Sequence, residues 1–224
     1  MRLSRLLALA IAAALAAAPA SAQSRRRPAP KKRAARPAPA PAQKTSTPEV
    51  KCPSLIGMGV KTIRSFCDVP AGTDPQQGIV VTLPPHSGTA TLSFDLHARH
   101  TYSEELTKSG KGYSRYRAII GVLTMKGDLL TRAAVEAEFR TASDLFDRIG
   151  GGAGPGGVKA VAPVGREQVL VTIPADVDQV SILGETLDAI TPAGHETVVL
   201  PGRPVAVVSN VLVEYKPGPA RRKK

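Results

Sequence analysis

Two stretches of this chain alternate apolar and polar residues with a period of two. Leu92, Phe94, Leu96 and Ala98 alternate with Ser93, Asp95, His97 and Arg99. Ala133, Val135, Ala137 and Phe139 alternate with Arg132, Ala134, Glu136, Glu138 and Arg140. That period sends successive side chains to opposite faces of an extended strand, whereas a helix needs apolar residues three and four apart. The second stretch has a helical composition, but its alternation holds through the nine residues 132–140, so it is read as strand.

Further runs at Gly78–Leu83, Tyr116–Met125, Gly157–Val164, Gln168–Ile173, Gln179–Leu183, Glu196–Leu200 and Val205–Tyr215 read as strands. Turn residues separate them at Met125-Lys126-Gly127-Asp128, Pro174-Ala175-Asp176, Pro192-Ala193-Gly194 and Pro201-Gly202. About nine or ten strands at this spacing, with no helix long enough for a parallel crossover, imply an all-β antiparallel sandwich, jelly-roll or immunoglobulin-like. One helical turn is expected at Ser143–Ile149, capped by Ser143 or Thr141. The body is long enough for one core and too short for two.

Charge divides the chain further. The net charge is +12, yet between Val50 and Tyr215 there are 15 Lys/Arg against 17 Asp/Glu. The excess lies in two arms: Arg25, Arg26, Arg27, Lys31, Lys32, Arg33, Arg36 and Lys44 before the body, and Lys216, Arg221, Arg222, Lys223 and Lys224 after it. A near-neutral body does not carry the basic face of a nucleic-acid-binding fold. Ahead of the arm, Arg2 and Arg5 precede an apolar run Leu6–Ala18, and Pro19-Ala20-Ser21-Ala22 offers a small-residue cleavage site. This pattern reads as a signal peptide over residues 1–22, and its apolar run is well short of the roughly 20 residues that span a bilayer.

The expected order is therefore signal peptide 1–22, basic Pro/Ala arm 23–49, sandwich 50–216 and basic tail 217–224, with a periplasmic or secreted destination. Six prolines among alanines and cations leave 23–49 no apolar face to bury, so the arm is expected to be disordered. Behind a signal peptide, Arg25, Arg26, Arg27, Lys31, Lys32, Arg33 and Arg36 face anionic envelope polymers or membrane surfaces; the arm is read either as a binding arm or as a spacer. In an oxidising compartment Cys52 and Cys67, the two cysteines of the chain, are expected to form a disulfide.

Catalytic signatures are weak. Gly57-Met58-Gly59-Val60-Lys61-Thr62 has neither the spacing nor the glycine before the lysine of a phosphate-binding loop. Gly152–Gly157 fits G-x-G-x-x-G but contains Pro155 and precedes a strand, so no helix N-terminus would meet a phosphate, and Gly150–Gly157 reads as a loop. His97 and His100 fall on opposite faces of a strand, while Asp95 and His97 share a face expected to be solvated and paired across strands. With Glu104 or Glu105 they offer the alternative of a metal-dependent hydrolase; no cofactor or metal is otherwise implied.

The most site-like segment is Tyr102–Arg117. It places Tyr102, Tyr113 and Tyr116 among Lys108, Lys111, Arg115 and Arg117 on a connection between two long strands. Flat aromatic faces beside cations suit stacking on a glycan or an anionic polymer, and sandwiches commonly bind through end loops. The expected function is a non-catalytic envelope module that binds a glycan, polymer or protein partner, with its arms on anionic surfaces and no transmembrane span in the mature form.

Overall fold

A computed structural model describes residues 42–149 and 160–219. The signal segment, the arm cations Arg25 to Arg36, the loop glycines 150–157 and the last five residues lie outside them. The described chain is built from strands β1 (Lys44–Ser46), β2 (Glu49–Lys51), β3 (Leu55–Met58), β4 (Ser65–Pro70), β5 (Ile79–Thr82) and β6 (Ala90–Tyr102). A short helix α1 (Glu104–Lys108) leads to β7 (Ser114–Thr124), β8 (Leu129–Phe139), β9 (Ala160–Ile173), β10 (Gln179–Thr191), β11 (Gly194–Val198) and β12 (Pro204–Tyr215). All registered strand pairs are antiparallel.

One sheet runs β3-β4-β12-β6-β9 and the other β2-β5-β10-β7-β8, with β1 on β12 and β11 on β10. The pairs β4–β12, β5–β10, β6–β9 and β7–β8 are nested one inside the next in sequence. They form a long hairpin rolled across two sheets, which is the jelly-roll rather than the immunoglobulin arrangement. The inward phase of the two alternating stretches supplies the core: Leu92, Phe94, Leu96, Ala98, Val135 and Phe139 join Ile79, Val81, Ile120, Val171 and Ile182 between the sheets. Cys52 and Cys67 are joined, closing a 15-residue separation and tying the segment before β3 to β4. A loop of that length restricts the unfolded chain by about 3 kcal/mol.

Five features differ from the sequence reading. Order begins inside the segment read as arm, because β1 pairs Lys44–Ser46 with Val213–Tyr215 and β2 pairs Glu49–Lys51 with β5. Over the described residues, the runs read as two strands at 157–164 and 168–173 are one strand, β9, from Ala160; Gly165 at φ 68° absorbs an extra residue as a bulge instead of ending the run. The turn expected at Ser143–Ile149 is a 3-10 turn at Ala142–Asp144 followed by extended chain. Conversely α1 lies inside the segment read as a loop, with Ser103 accepting from the Leu106 amide, Glu104 and Glu105 in the first turn, and Gly110 at φ 71° just past its end.

The fifth difference explains the third. The outward face of β6 is not solvated: Asp95 and His97 are 1% and 0% exposed. The segment after the 3-10 turn lies over this face, bridging Leu145 to Val164 and Ile149 to Gly59, and brings Phe146 to 4.5 Å from the His97 ring. Phe66, Ile149 and Val207 form a second, smaller apolar cluster there, with Ile56, Phe146 and Val161 against it. Phe146 and Ile149 thus cover a sheet rather than line a helix. Asp95 in this layer accepts from Arg64 at 2.7 Å and from Asn210 at 3.4 Å, and Asp68 holds Arg99 at 2.7 Å. In both pairs the carboxylate is buried and the guanidinium partly exposed, so removing the arginine would leave a buried carboxylate short of its main donor.

The same layer fixes the turn after β3. Asp147, buried, accepts hydrogen bonds from the Lys61, Thr62 and Arg148 amides and from the Thr62 hydroxyl. Burial pushes its carboxyl up, but those donors outweigh it and hold the group below the ordinary carboxylate value. At the head of this turn Ile63 sits at φ 54°, a left-handed conformation that costs a β-branched residue roughly 1–2 kcal/mol.

Candidate binding cleft

A cleft of about 520 Å³ opens at the end of the roll where β6 hands over to β7 through α1, where β10 turns into β11, and where β12 begins. That volume is within the range of small-ligand sites. Its deep part is apolar and aromatic: His100, Tyr116, Phe139, Leu187, Ala189 and Val198. Leu106 and Thr107 of α1, Lys111, Tyr113, Glu196 and Arg203 stand around it. Of the charged groups, Arg203 lies 3.9 Å from Glu196 and Arg99 is engaged by Asp68.

His100 gives the cleft its chemistry. Leu96, Ala98, His100 and Tyr102 share the inward phase of β6, so the fold carries an imidazole to a core position. The ring stacks on Phe139 at 4.1 Å and meets Tyr116 edge-on at 5.8 Å, and only 3% of the residue is exposed. Burial pulls its pKa down to about 4, so it is neutral near pH 7. Nδ1 is paired with the Ser114 hydroxyl at 3.1 Å, and Nε2 has no hydrogen-bond partner. Besides the small Ser181 hydroxyl, it is the buried side-chain polar atom left unmatched among the described residues. An unpartnered buried polar atom costs about 1–3 kcal/mol, and a ligand able to bond it recovers that cost. Beside it burial raises the Tyr116 phenol, partly offset by hydrogen bonds from Ser114 and the Thr101 backbone.

The residues singled out in the sequence divide sharply here. Lys111, Tyr113 and Tyr116 line the cleft. Tyr102 is core: its ring packs edge-on to Phe139 at 6.0 Å, and its hydroxyl accepts from Arg148. Lys108 pairs with Glu104 at 3.1 Å along exposed α1. Arg115 is held by Glu136 across β7 and β8, and Arg117 is exposed on the same outward face, away from the floor residues of the opposite strand phase. Tyr113 is 38% exposed with the Arg140 guanidinium over its ring at 5.7 Å.

The alternative hydrolase set is not assembled. His97 contacts the Gly165 carbonyl through Nδ1 at 2.7 Å and the Ser209 hydroxyl through Nε2 at 2.9 Å, Asp95 is bound to Arg64, and Glu104 lies on α1. Among the described residues no three His, Cys, Asp or Glu side chains converge as a metal site, and no helix is long and apolar enough to cross a membrane. Phe139, Leu187, Glu196, Val198 and Arg203 carried no local signal for the cleft, because rolling the hairpin brings β8, β10, β11 and β12 to it. His100 did carry one, as a titratable residue in an apolar phase.

No family model matches the chain, and no curated protein matches it. Among solved structures it is similar to the K1 cleaved adhesin domain of Lys-gingipain from Porphyromonas gingivalis W83, at 10% identity and TM-score 0.33, covering 79% of this chain and 91% of that one. It is also similar to the VP2 subviral particle of infectious bursal disease virus, at 10% identity and TM-score 0.23, covering 78% of this chain and 33% of that one.

Proposed function

We propose that this chain is an exported, non-catalytic jelly-roll module that binds a glycan, polymer or protein segment of the cell envelope through the cleft around His100. The basic arm holds it near anionic surfaces. The observation that carries this reading is the composition of the cleft: an aromatic and aliphatic floor, one unmatched neutral imidazole nitrogen, and Lys111, Tyr113 and Arg203 at the mouth. Such a site supplies stacking area, one directional hydrogen bond and cations for an acidic group. The Cys52–Cys67 disulfide supports an oxidising destination.

A photoreactive residue at Tyr113, introduced in cells, tests it. Crosslinked adducts should form at Tyr113 and not at Lys126, which sits in the β7–β8 turn at the opposite end of the roll. Equal labelling at the two positions would contradict a site in the cleft.

A further inference from the structure

The turn after β3 has no part in the cleft, and it is built in an unusual way. Of the eleven large apolar side chains exposed among the described residues, four fall within positions 55–63: Leu55, Met58, Val60 and Ile63. Val60 and Ile63 are 64% and 68% exposed. Left-handed backbone normally selects glycine or asparagine, and an exposed turn has no packing reason to choose isoleucine. Here the strained residue is also the most exposed apolar one. The buried Asp147 carboxylate, the Gly59 amide bonded to the Arg64 carbonyl and the Val60 amide bonded to the Arg148 carbonyl hold the turn in this shape. A rigid backbone that keeps apolar side chains in water at a conformational cost is a mark of function rather than of folding.

The surrounding charge identifies the target. Residues 52–63 carry one charged residue, the exposed Lys61, and Arg64 after them is paired with Asp95. Two carboxylates beside the turn are buried and engaged, Asp147 by amides and a hydroxyl and Asp95 by Arg64. Apolar side chains flanking an exposed lysine match the boundary of an anionic bilayer, where phosphates lie over acyl chains. We infer that the turn Val60–Ile63 inserts Val60 and Ile63 into the headgroup layer of anionic lipid, with Lys61 on the phosphates. The inference shares with the proposed function only the anionic surface as target, and it gives the folded domain its own contact with that surface.

The test uses the exported protein and vesicles of equal parts phosphatidylglycerol and phosphatidylcholine, with phosphatidylcholine alone as control. Asparagine tolerates left-handed backbone, so Ile63→Asn should keep or raise the thermal midpoint while partitioning onto the anionic vesicles falls about tenfold, the worth of one buried aliphatic side chain. Leu200→Asn, at an equally exposed apolar site elsewhere, should leave partitioning unchanged. The chain has no tryptophan, so Ile63→Trp gives a single reporter whose emission should move to the blue on anionic vesicles.

Removing residues 23–41 separates the two contacts. If Ile63→Asn still weakens binding in the shortened chain, the turn acts independently of the arm. If only the arm deletion matters and the emission of the Ile63→Trp variant is unmoved, the arm tethers and the insertion is overturned. Binding that is equal on both vesicle types, or self-association through the turn without vesicle binding, also overturns it. A parent chain that binds neither vesicle overturns both the insertion and the tethering.

Discussion

His97 and His100 stand three residues apart on β6, both buried, on opposite faces of one strand. Both are pulled below the ordinary imidazole pKa by burial. They differ in what their nitrogens meet. His97, in the outer layer, spans the Gly165 carbonyl and the Ser209 hydroxyl and packs against Phe66 and Phe146. His100, between the sheets, keeps Nδ1 on Ser114 and has Nε2 buried without a partner in a ring that lines the cleft. Equal burial with unequal satisfaction separates a histidine that fastens the fold at both nitrogens from one that keeps a nitrogen unmatched.

The same substitution at both positions is the sharpest way to break this comparison. His97→Phe strands the Gly165 carbonyl and the Ser209 hydroxyl in a dry layer, and each unmet group costs about 1–3 kcal/mol. Denaturant unfolding should show a loss of about 2–5 kcal/mol, and a loss below about 1 kcal/mol would remove the structural role given to His97.

Acid acts on both rings in the same direction. The unfolded histidines take up protons near pH 6.5, whereas folded His100 does so only near 4. A lowered folded pKa contributes stability that is fully present above about pH 6.5 and is lost as pH falls toward 4. For His100 the loss is about 3 kcal/mol, and His97 adds to it in the same sense. Unfolding free energy measured across this window should fall with decreasing pH, and the fall should shrink in His100→Phe. A flat profile would place both imidazoles in solvent-like surroundings.

His100→Phe should be the mildest. It trades an unmatched polar ring for an apolar one of similar size on Phe139, losing the Ser114 contact, so stability should change by about 1 kcal/mol or less. A loss comparable to that of His97→Phe would make His100 another fastening residue.

Much of the fold was legible. Local alternation in residues 92–99 and 132–140 gave β6 and β8 and their inward sides, and compartment plus spacing gave the disulfide. The roll itself was not legible, because the pairs β4–β12 and β5–β10 are fixed by contacts far apart in sequence. The outer layer was hidden for a related reason: Asp95 and His97 look like solvent residues in a period-two pattern, and nothing local says that Phe146 and Ile149 will come back over them. Of the segment singled out in the sequence, Lys111, Tyr113 and Tyr116 lie along the cleft. Tyr102, Lys108, Arg115 and Arg117 diverge because strand phase and α1 point neighbours in sequence to different surfaces. Ile63 gave no sequence signal, since its left-handed conformation follows from the amides gathered by Asp147 from far along the chain.

The most direct measurement places the Tyr113 crosslinker in two backgrounds, parent and His100→Phe, and records the thermal midpoint with the adduct yield. The expected result is a folded His100→Phe protein of nearly unchanged midpoint whose Tyr113 adduct is lost. An undiminished adduct in that folded variant would contradict ligand recognition at the His100 cleft.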